Sequence, residues 1–201
     1  MSLFELTRDM HHACEQHEVG QRFSKGVATR QEWADWLWAF RCLHTVTDPS
    51  LPSDMHRDAA LSSDLAFLPQ ANASLSALRF SETLVGQDTT GAAYVLHGAH
   101  RSGGRVMAPV MVKRGFPVQH IMYRDPDAAQ AWVKAARMQT GFATQARETF
   151  LCLLAVMDEI SGRWRPGWPQ GHGDGIEENI TTTTRALAEI SPGQARHLGH
   201  A

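Results

Sequence analysis

Apolar residues along this chain recur at steps of three and four, the period of a helix that buries one face. Leu3, Leu6, Thr7, Met10, His11 and Cys14 give the first segment such a face. The stretch VATRQEWADWLWAFRCLHTV is stronger. Thr29 and Glu32 have the spacing of a capping box, and Trp33, Trp36, Leu37, Phe40, Leu43 and His44 follow as one deep stripe. DPSLPSD breaks the chain, MHRDAALSSDLAFL predicts a short helix or two, ANASLSALRFSETLV another, and GQDTTG a turn. Asp125 and Pro126 read as an N-cap and a first helical residue, opening a helix that carries Trp132, Val133, Ala136 and Arg137. FATQARETFLCLLAVMDEISGRW predicts a long helix with Phe150, Leu153, Leu154, Met157 and Ile160 facing inward. RPGWPQGHGDG is a loop, and IEENITTTTRALAEI a short helix weakened by its threonines. No segment has a period of two. The expected fold is all-α, a single domain over residues 1–201 with helices around one core.

One helix carries a weak spot. YVLHGAHRSGGRVM holds three glycines between Gly98 and Gly104, each costing a helix about 1 kcal/mol relative to alanine. Glycine lets a flat ligand or another backbone come close, and lets a helix bend over what it covers. Close helix–helix packing explains the same residues. A phosphate loop does not fit, because no strand precedes the segment and the spacing differs.

Composition narrows the function classes. The 201 residues carry a net charge of −2 and no basic run, which argues against nucleic acid as a partner. The N-terminus lacks the apolar core of a signal peptide, and no stretch is long enough to span a bilayer, so neither secretion nor a membrane is expected. Cys14, Cys42 and Cys152 form no CxxC pair. Free thiols in a reducing cytoplasm are the expected state. Eleven histidines suit a metal or porphyrin site, and equally a histidine-rich surface.

His11 shares a helix face with Thr7 and Glu15, one turn to either side. A ligating histidine needs a partner on its second ring nitrogen, and Glu15 is placed to supply it. The alternative is a half-buried histidine in an ordinary hydrogen bond; His12 points elsewhere, toward solvent. His44, on an apolar stripe, requires a polar partner if buried. Lys134 and Arg137 stand one turn apart, either as carboxylate partners or as a solvated face.

In order along the chain, these segments resemble the heme oxygenase family. LTRDMHHACEQ matches its Thr-x-x-x-His-x-x-x-Glu at Thr7, His11 and Glu15. RFSKGVATRQEW resembles its lysine-glycine turn into a second helix, and DMHRDAALSSDLAFL its Leu-His-Arg-x-x-Ala-Leu-x-x-Asp-Leu segment. YVLHGAHRSGGRVM resembles the glycine-rich distal helix, and FLCLLAVMDEI the last core helix. The match spans about residues 3–162.

The resemblance implies a heme held between the first helix and a kinked distal helix, as cofactor and substrate. His11 is then the iron ligand, oriented by Glu15. Thr7, Tyr94, Gly98, Ala99, Ser102, Gly104, Lys134, Arg137 and Phe150 line the heme site, with Tyr94, Lys134 and Arg137 toward the propionates. Dioxygen and an external electron donor (ferredoxin, flavodoxin or an NADPH-linked reductase) open the ring to biliverdin, carbon monoxide and ferrous iron. A cytoplasmic monomer meeting a redox partner protein is the implied setting.

The sequence also departs from the family. The distal aspartate is absent: counting back from Gly103 puts His100 in its place, and counting from Tyr94 puts Ala99 there. A one-residue insertion or bulge reconciles the counts. His44 takes the place of a tyrosine, and Phe4 that of a lysine, so that Arg8 or another base must meet the propionate. Two outcomes follow. His100 and His44, with the Gly103 backbone shaping the oxygen pocket, support proton delivery in an active oxygenase. Alternatively His100, or His97, binds iron from the distal side and the protein stores, transfers or senses heme without degrading it.

Overall fold

The computed structural model describes residues 1–162, and those residues contain no strand. The loop and helix expected over 163–190 lie outside the described residues. Helix α1 (Leu3–Gln16) opens on a capping box in which Ser2 Oγ accepts from Glu5 N and Glu5 Oε2 accepts from Ser2 N at 2.6 Å. His17 then ends α1 and caps α2 (Glu18–Ser24): its Nδ1 accepts from Val19 N at 3.2 Å, while Nε2 stands 3.2 Å from Asp158. The sequence pattern predicts no helix over Glu18–Ser24. Seven residues with two apolar anchors, Val19 and Phe23, are too few to show a period.

Helix α3 (Arg30–Thr47) forms as the capping box and stripe require. Thr29 Oγ1 accepts from Glu32 N at 3.1 Å, and Glu32 Oε2 from Thr29 N at 2.7 Å. Trp33, Trp36, Leu37, Phe40, Leu43 and His44 are all buried. Against α3 lie α4 (Asp58–Leu65) and α5 (Leu75–Leu84). The start of α5 is tied to the last helix, since Glu159 accepts from Ser74 Oγ, Ser76 N and Ser76 Oγ. Short 3₁₀ turns at Asp48–Ser50 and Ser53–Met55 bridge the proline-rich break.

Helix α6 (Thr90–Gly98) runs without interruption into a π-helical turn, Ala99–Gly104, and on into α7 (Arg105–Lys113). A π turn contains one more residue than an α turn. This segment therefore carries a one-residue bulge. α8 (Pro126–Ala136) begins as expected, with Asp125 Oδ1 accepting from Asp127 N and Ala128 N, and it ends at Arg137. α9 (Ala143–Ile160) buries Ala146, Phe150, Leu153, Val156 and Met157. Leu154 and Ile160, expected inside, are only half-buried because the buried stripe runs through Val156. α9 packs on α1, α5 and α6, so α3 and α9 together form the centre. Cys42 and Cys152 are buried free thiols, and Cys14 is a half-buried one. Among the described residues no helix is long and apolar enough to cross a membrane.

Candidate functional site

A cavity of about 670 Å³ opens between α1, the α6–π–α7 run, α8 and α9, within the range typical of cofactor sites. From α1 come Phe4, Thr7, His11, Cys14 and Glu15; from the glycine-rich run come Tyr94, Gly98, Ala99, Ser102 and Gly103. Val133, Lys134 and Arg137 close one end, with Phe150, Leu153 and Met157 beneath. The i, i+4 spacing predicts that Glu15 stands beside His11. Glu15 Oε1 lies 3.6 Å from His11 Nδ1. That leaves the other ring nitrogen of His11 free. Phe4 and Phe150 flank the His11 ring, at centroid distances of 6.3 and 6.0 Å. Thr7 makes its hydroxyl bond within α1, to Leu3 O at 2.8 Å, and so offers the cavity mainly its methyl side.

The glycines divide by what lies beyond them. A Cβ added at Gly98 or Gly103 meets nothing within 4 Å, while one added at Gly104 would stand 2.7 Å from Ile121 Cγ2. Gly98 and Gly103 therefore keep the cavity open. Gly104 is buried against the 3₁₀ turn Gln119–Ile121 and does not line it, which corrects its expected place at the ligand. Basic groups also line the cavity. Arg137 stacks 4.6 Å from the Phe4 ring, and Lys134 and Tyr94 share the lining. Burial raises the Tyr94 phenol, against the opposing pull of Arg137. Arg8, considered as a substitute for the missing lysine, is over the Phe4 ring but not among the lining residues.

His44, His97 and His100 are not among the lining residues either. All three sit in a buried polar cluster on the core side of the run. His44 Nδ1 is 2.8 Å from Asp48 Oδ1, and His44 Nε2 is 2.8 Å from His100 Nε2. Asp48 Oδ2 also accepts from Arg57 N at 2.5 Å. Burial alone would raise the Asp48 carboxyl, but the imidazoles of His44 and His97 and the Arg57 N–H reverse this and hold it far below the usual range. Asp48 is thus a carboxylate that accepts the His44 Nδ1 proton, and His44 Nε2 accepts from His100. This tautomer follows from the network. Burial first, then neighbouring histidines, lowers the His100 imidazole well below its ordinary value.

Sequence reasoning did not find the rest of the cluster. His97 Nδ1 is 2.7 Å from Tyr123 Oη. His120 Nδ1 is 2.6 Å from Asp64 Oδ2, and Asp64 accepts the backbone N–H groups of Gln119 and His120. Arg57 donates to the carbonyls of Asp54, Met55, His120 and Met122, with its guanidinium 4.1 Å from the Tyr123 ring centre. Arg57 and Asp64 belong to the MHRDAALSSDLAFL stretch. They tie α4 to the segment 119–123, more than fifty residues away, and no local spacing announces that. Only Asp48, at i+4 from His44, left a sequence signal.

No family model matches the sequence, and no curated protein matches it. Solved structures do. A heme oxygenase from Leptospira interrogans superposes with a TM-score of 0.66 at 18% identity, covering 79% of this chain and 100% of its own. Heme oxygenase-1 of the cyanobacterium Synechocystis, solved in complex with heme, gives 0.65 at 13% identity over 92% of this chain and 97% of its own. The fold is heme oxygenase-like. The resemblance read from the ordered motifs therefore holds at the level of the fold.

Proposed function

We propose that this protein binds heme in the cavity and acts as a heme oxygenase. The observation that carries the reading is the opposition of two walls. On one stands a histidine with a carboxylate beside one ring nitrogen and the other free. On the other stand two glycines whose missing side chains leave open space. A flat ring with an iron at its centre and carboxylates at its edge suits this donor set. His11 would hold the iron, Phe4 and Phe150 would flank the ring, and Lys134 and Arg137 would meet the propionates. Bound heme supplies the iron that activates dioxygen and the ring that is oxidised.

The chain's own part is orientation and proton supply. Glu15 fixes the His11 tautomer, directly or through water, and so raises its basicity as a ligand. Gly98 and Gly103 leave space beside the iron and bring no competing side-chain ligand. His100 donates its Nε2 proton to His44, whose Nδ1 proton is held by Asp48. The pair lies behind the π turn and relays a proton toward His100 only when the order of its hydrogen bonds reverses, with His44 Nε2 donating to His100 Nε2. The distal-ligand alternative has less support, since neither His97 nor His100 lines the cavity. An external electron donor, dioxygen and a monomeric state complete the reading.

The test adds hemin to the full-length protein, records the spectrum, and then supplies ascorbate or a reductase system in air. The expected result is stoichiometric uptake followed by loss of the heme band and growth of a bile-pigment band. A stable low-spin spectrum that survives reductant in air would overturn the oxygenase reading, and no uptake would overturn both.

A further inference from the structure

Three atoms of the buried cluster converge on one point. His44 Nδ1 is 2.8 Å from Asp48 Oδ1, His97 Nε2 is 3.7 Å from the same oxygen, and each of the three side chains brings a donor atom within 4.8 Å of the other two. His97 Nε2 is buried and has no hydrogen-bond partner, a state that costs about 1–3 kcal/mol when nothing fills it. The other end of each side chain is already held. His44 Nε2 meets His100, His97 Nδ1 meets Tyr123, and Asp48 Oδ2 accepts from Arg57 N and Asp58 N. Metal-binding imidazoles need just such a partner on the second ring nitrogen, to fix tautomer and ring orientation.

We propose that His44, Asp48 and His97 bind a divalent first-row transition ion, zinc or ferrous iron, at a site separate from the cavity. Two histidines and a carboxylate are a recurrent set for such ions and leave positions open for further ligands. Metal–ligand distances of about 2.0–2.2 Å place neighbouring donor atoms roughly 3–3.5 Å apart. The separations of 2.8 and 3.7 Å bracket that spacing, and the third, between the two imidazoles, lies within 4.8 Å. Arg57 stands beside the site and opposes any cation, and there is one carboxylate to offset it. Imidazole affinity must therefore carry the binding, which excludes the oxygen-seeking calcium and magnesium. Entry of the ion moves the His44 proton from Nδ1 to Nε2 and the His100 proton from Nε2 to Nδ1, so the hydrogen bond between them reverses, with His44 Nε2 donating. The assignment rests on these side chains alone, and it meets the heme reading only at His44 and Asp48, which it shares with the proton chain.

Cobalt is the probe. Full-length heme-free protein, equilibrated with cobalt(II), is expected to bind one equivalent with visible d–d absorption, to release it to zinc, and to melt at a higher temperature when loaded, since an ion that binds only the folded state stabilises it. Anaerobic competition with ferrous iron then ranks the two ions. His97→Gln is expected to weaken cobalt by at least about 100-fold, and His11→Ala to leave it unchanged, separating this site from the cavity. The proposal is overturned if the wild type takes up no cobalt, if His97→Gln binds it as tightly, or if His11→Ala abolishes it. Should His97→Gln fail to fold, Tyr123→Phe takes its place. Removing the group that orients His97 should cost about 10–100-fold in affinity, and an unchanged affinity sinks the idea.

Discussion

The two sides of the run from His97 to Gly104 are made differently from nearly the same residues. On the cavity side Gly98, Ala99, Ser102 and Gly103 present small groups and open space. On the core side His97, His100 and Gly104 are buried, the histidines in a hydrogen-bonded cluster and the glycine against Ile121. The π turn permits this division. A π turn pairs i with i+5, so Gly98 and Gly103 come to one side, while His97 and His100, three apart, share the other face as in any helical turn. The cavity side is built for a ligand at little expense to stability. On the core side, each group's removal strands another.

Substitutions on the two sides should therefore separate function from folding. The largest effect is expected from His11→Ala. His11 is 44% exposed at its side chain, so stability should change by no more than about 0.5 kcal/mol. The hemin complex should nevertheless lose its axial-ligand signature, and turnover should fall by about 100-fold or more. An unchanged hemin spectrum would remove His11 from the role of ligand.

His100→Ala tests the other side. It creates a void in a buried site and leaves His44 Nε2 without a partner, losses that together come to about 2–4 kcal/mol. Chemical denaturation should show that loss, while hemin titration gives uptake close to wild type, because His100 does not line the cavity. Turnover with reductant should drop and become sensitive to added small acids, if the His100–His44 pair holds protons for the reaction. A variant that loses stability but keeps full turnover would reduce the cluster to a structural network.

The sequence made the two sides unequally legible. Local signals carried the cavity side: the i, i+4 steps from Thr7 to Glu15, the Thr29 capping box, the Asp125–Pro126 start and the glycine spacing each constrain a few neighbouring residues, and α1, α3 and α8 formed where they point. The cluster depends on pairs far apart in the chain. Asp64 with His120 and His97 with Tyr123 are separated by 56 and 26 residues, and periodicity says nothing about such distances. His44 shows the boundary between the two cases. Its need for a partner was readable from its place on an apolar stripe, Asp48 was within local reach, and His100 was not. Gly104 failed for a related reason. A glycine that admits a ligand and one that admits an isoleucine look alike until Ile121 is in place.

Gly104→Ala and Gly98→Ala make that last distinction measurable. At Gly104 the new methyl would stand 2.7 Å from Ile121 Cγ2, and overpacking of this kind costs about 1–3 kcal/mol. At Gly98 it meets nothing, and replacing a helical glycine should add stability of about 0.5–1 kcal/mol. Heme affinity should respond in the opposite order, weakened by Gly98→Ala and unaffected by Gly104→Ala at temperatures where both are folded. Equal stability changes at the two positions would mean that the two sides of the helix are not distinct.

The pH dependence isolates the core side. Burial, the first cause in each case, lowers His97 to about 4 and depresses His100 and His120 as well. Their unfolded counterparts titrate near the ordinary histidine value of about 6.5. Below that pH the unfolded chain binds more protons than the folded one, so unfolding free energy falls as pH falls, on the order of 1 kcal/mol per pH unit for each such histidine. For His97 the loss levels off near pH 4, where the folded form also takes up its proton. Urea midpoints of metal-free, heme-free protein should accordingly decline steadily as the pH is lowered through this window. The slope of that decline is set by the buried cluster. His120→Gln should reduce it by about one histidine's share. A flat profile in the wild type would mean that the buried imidazoles take up protons as readily folded as unfolded, and the proton order assigned to Asp48, His44 and His100 would lose its support.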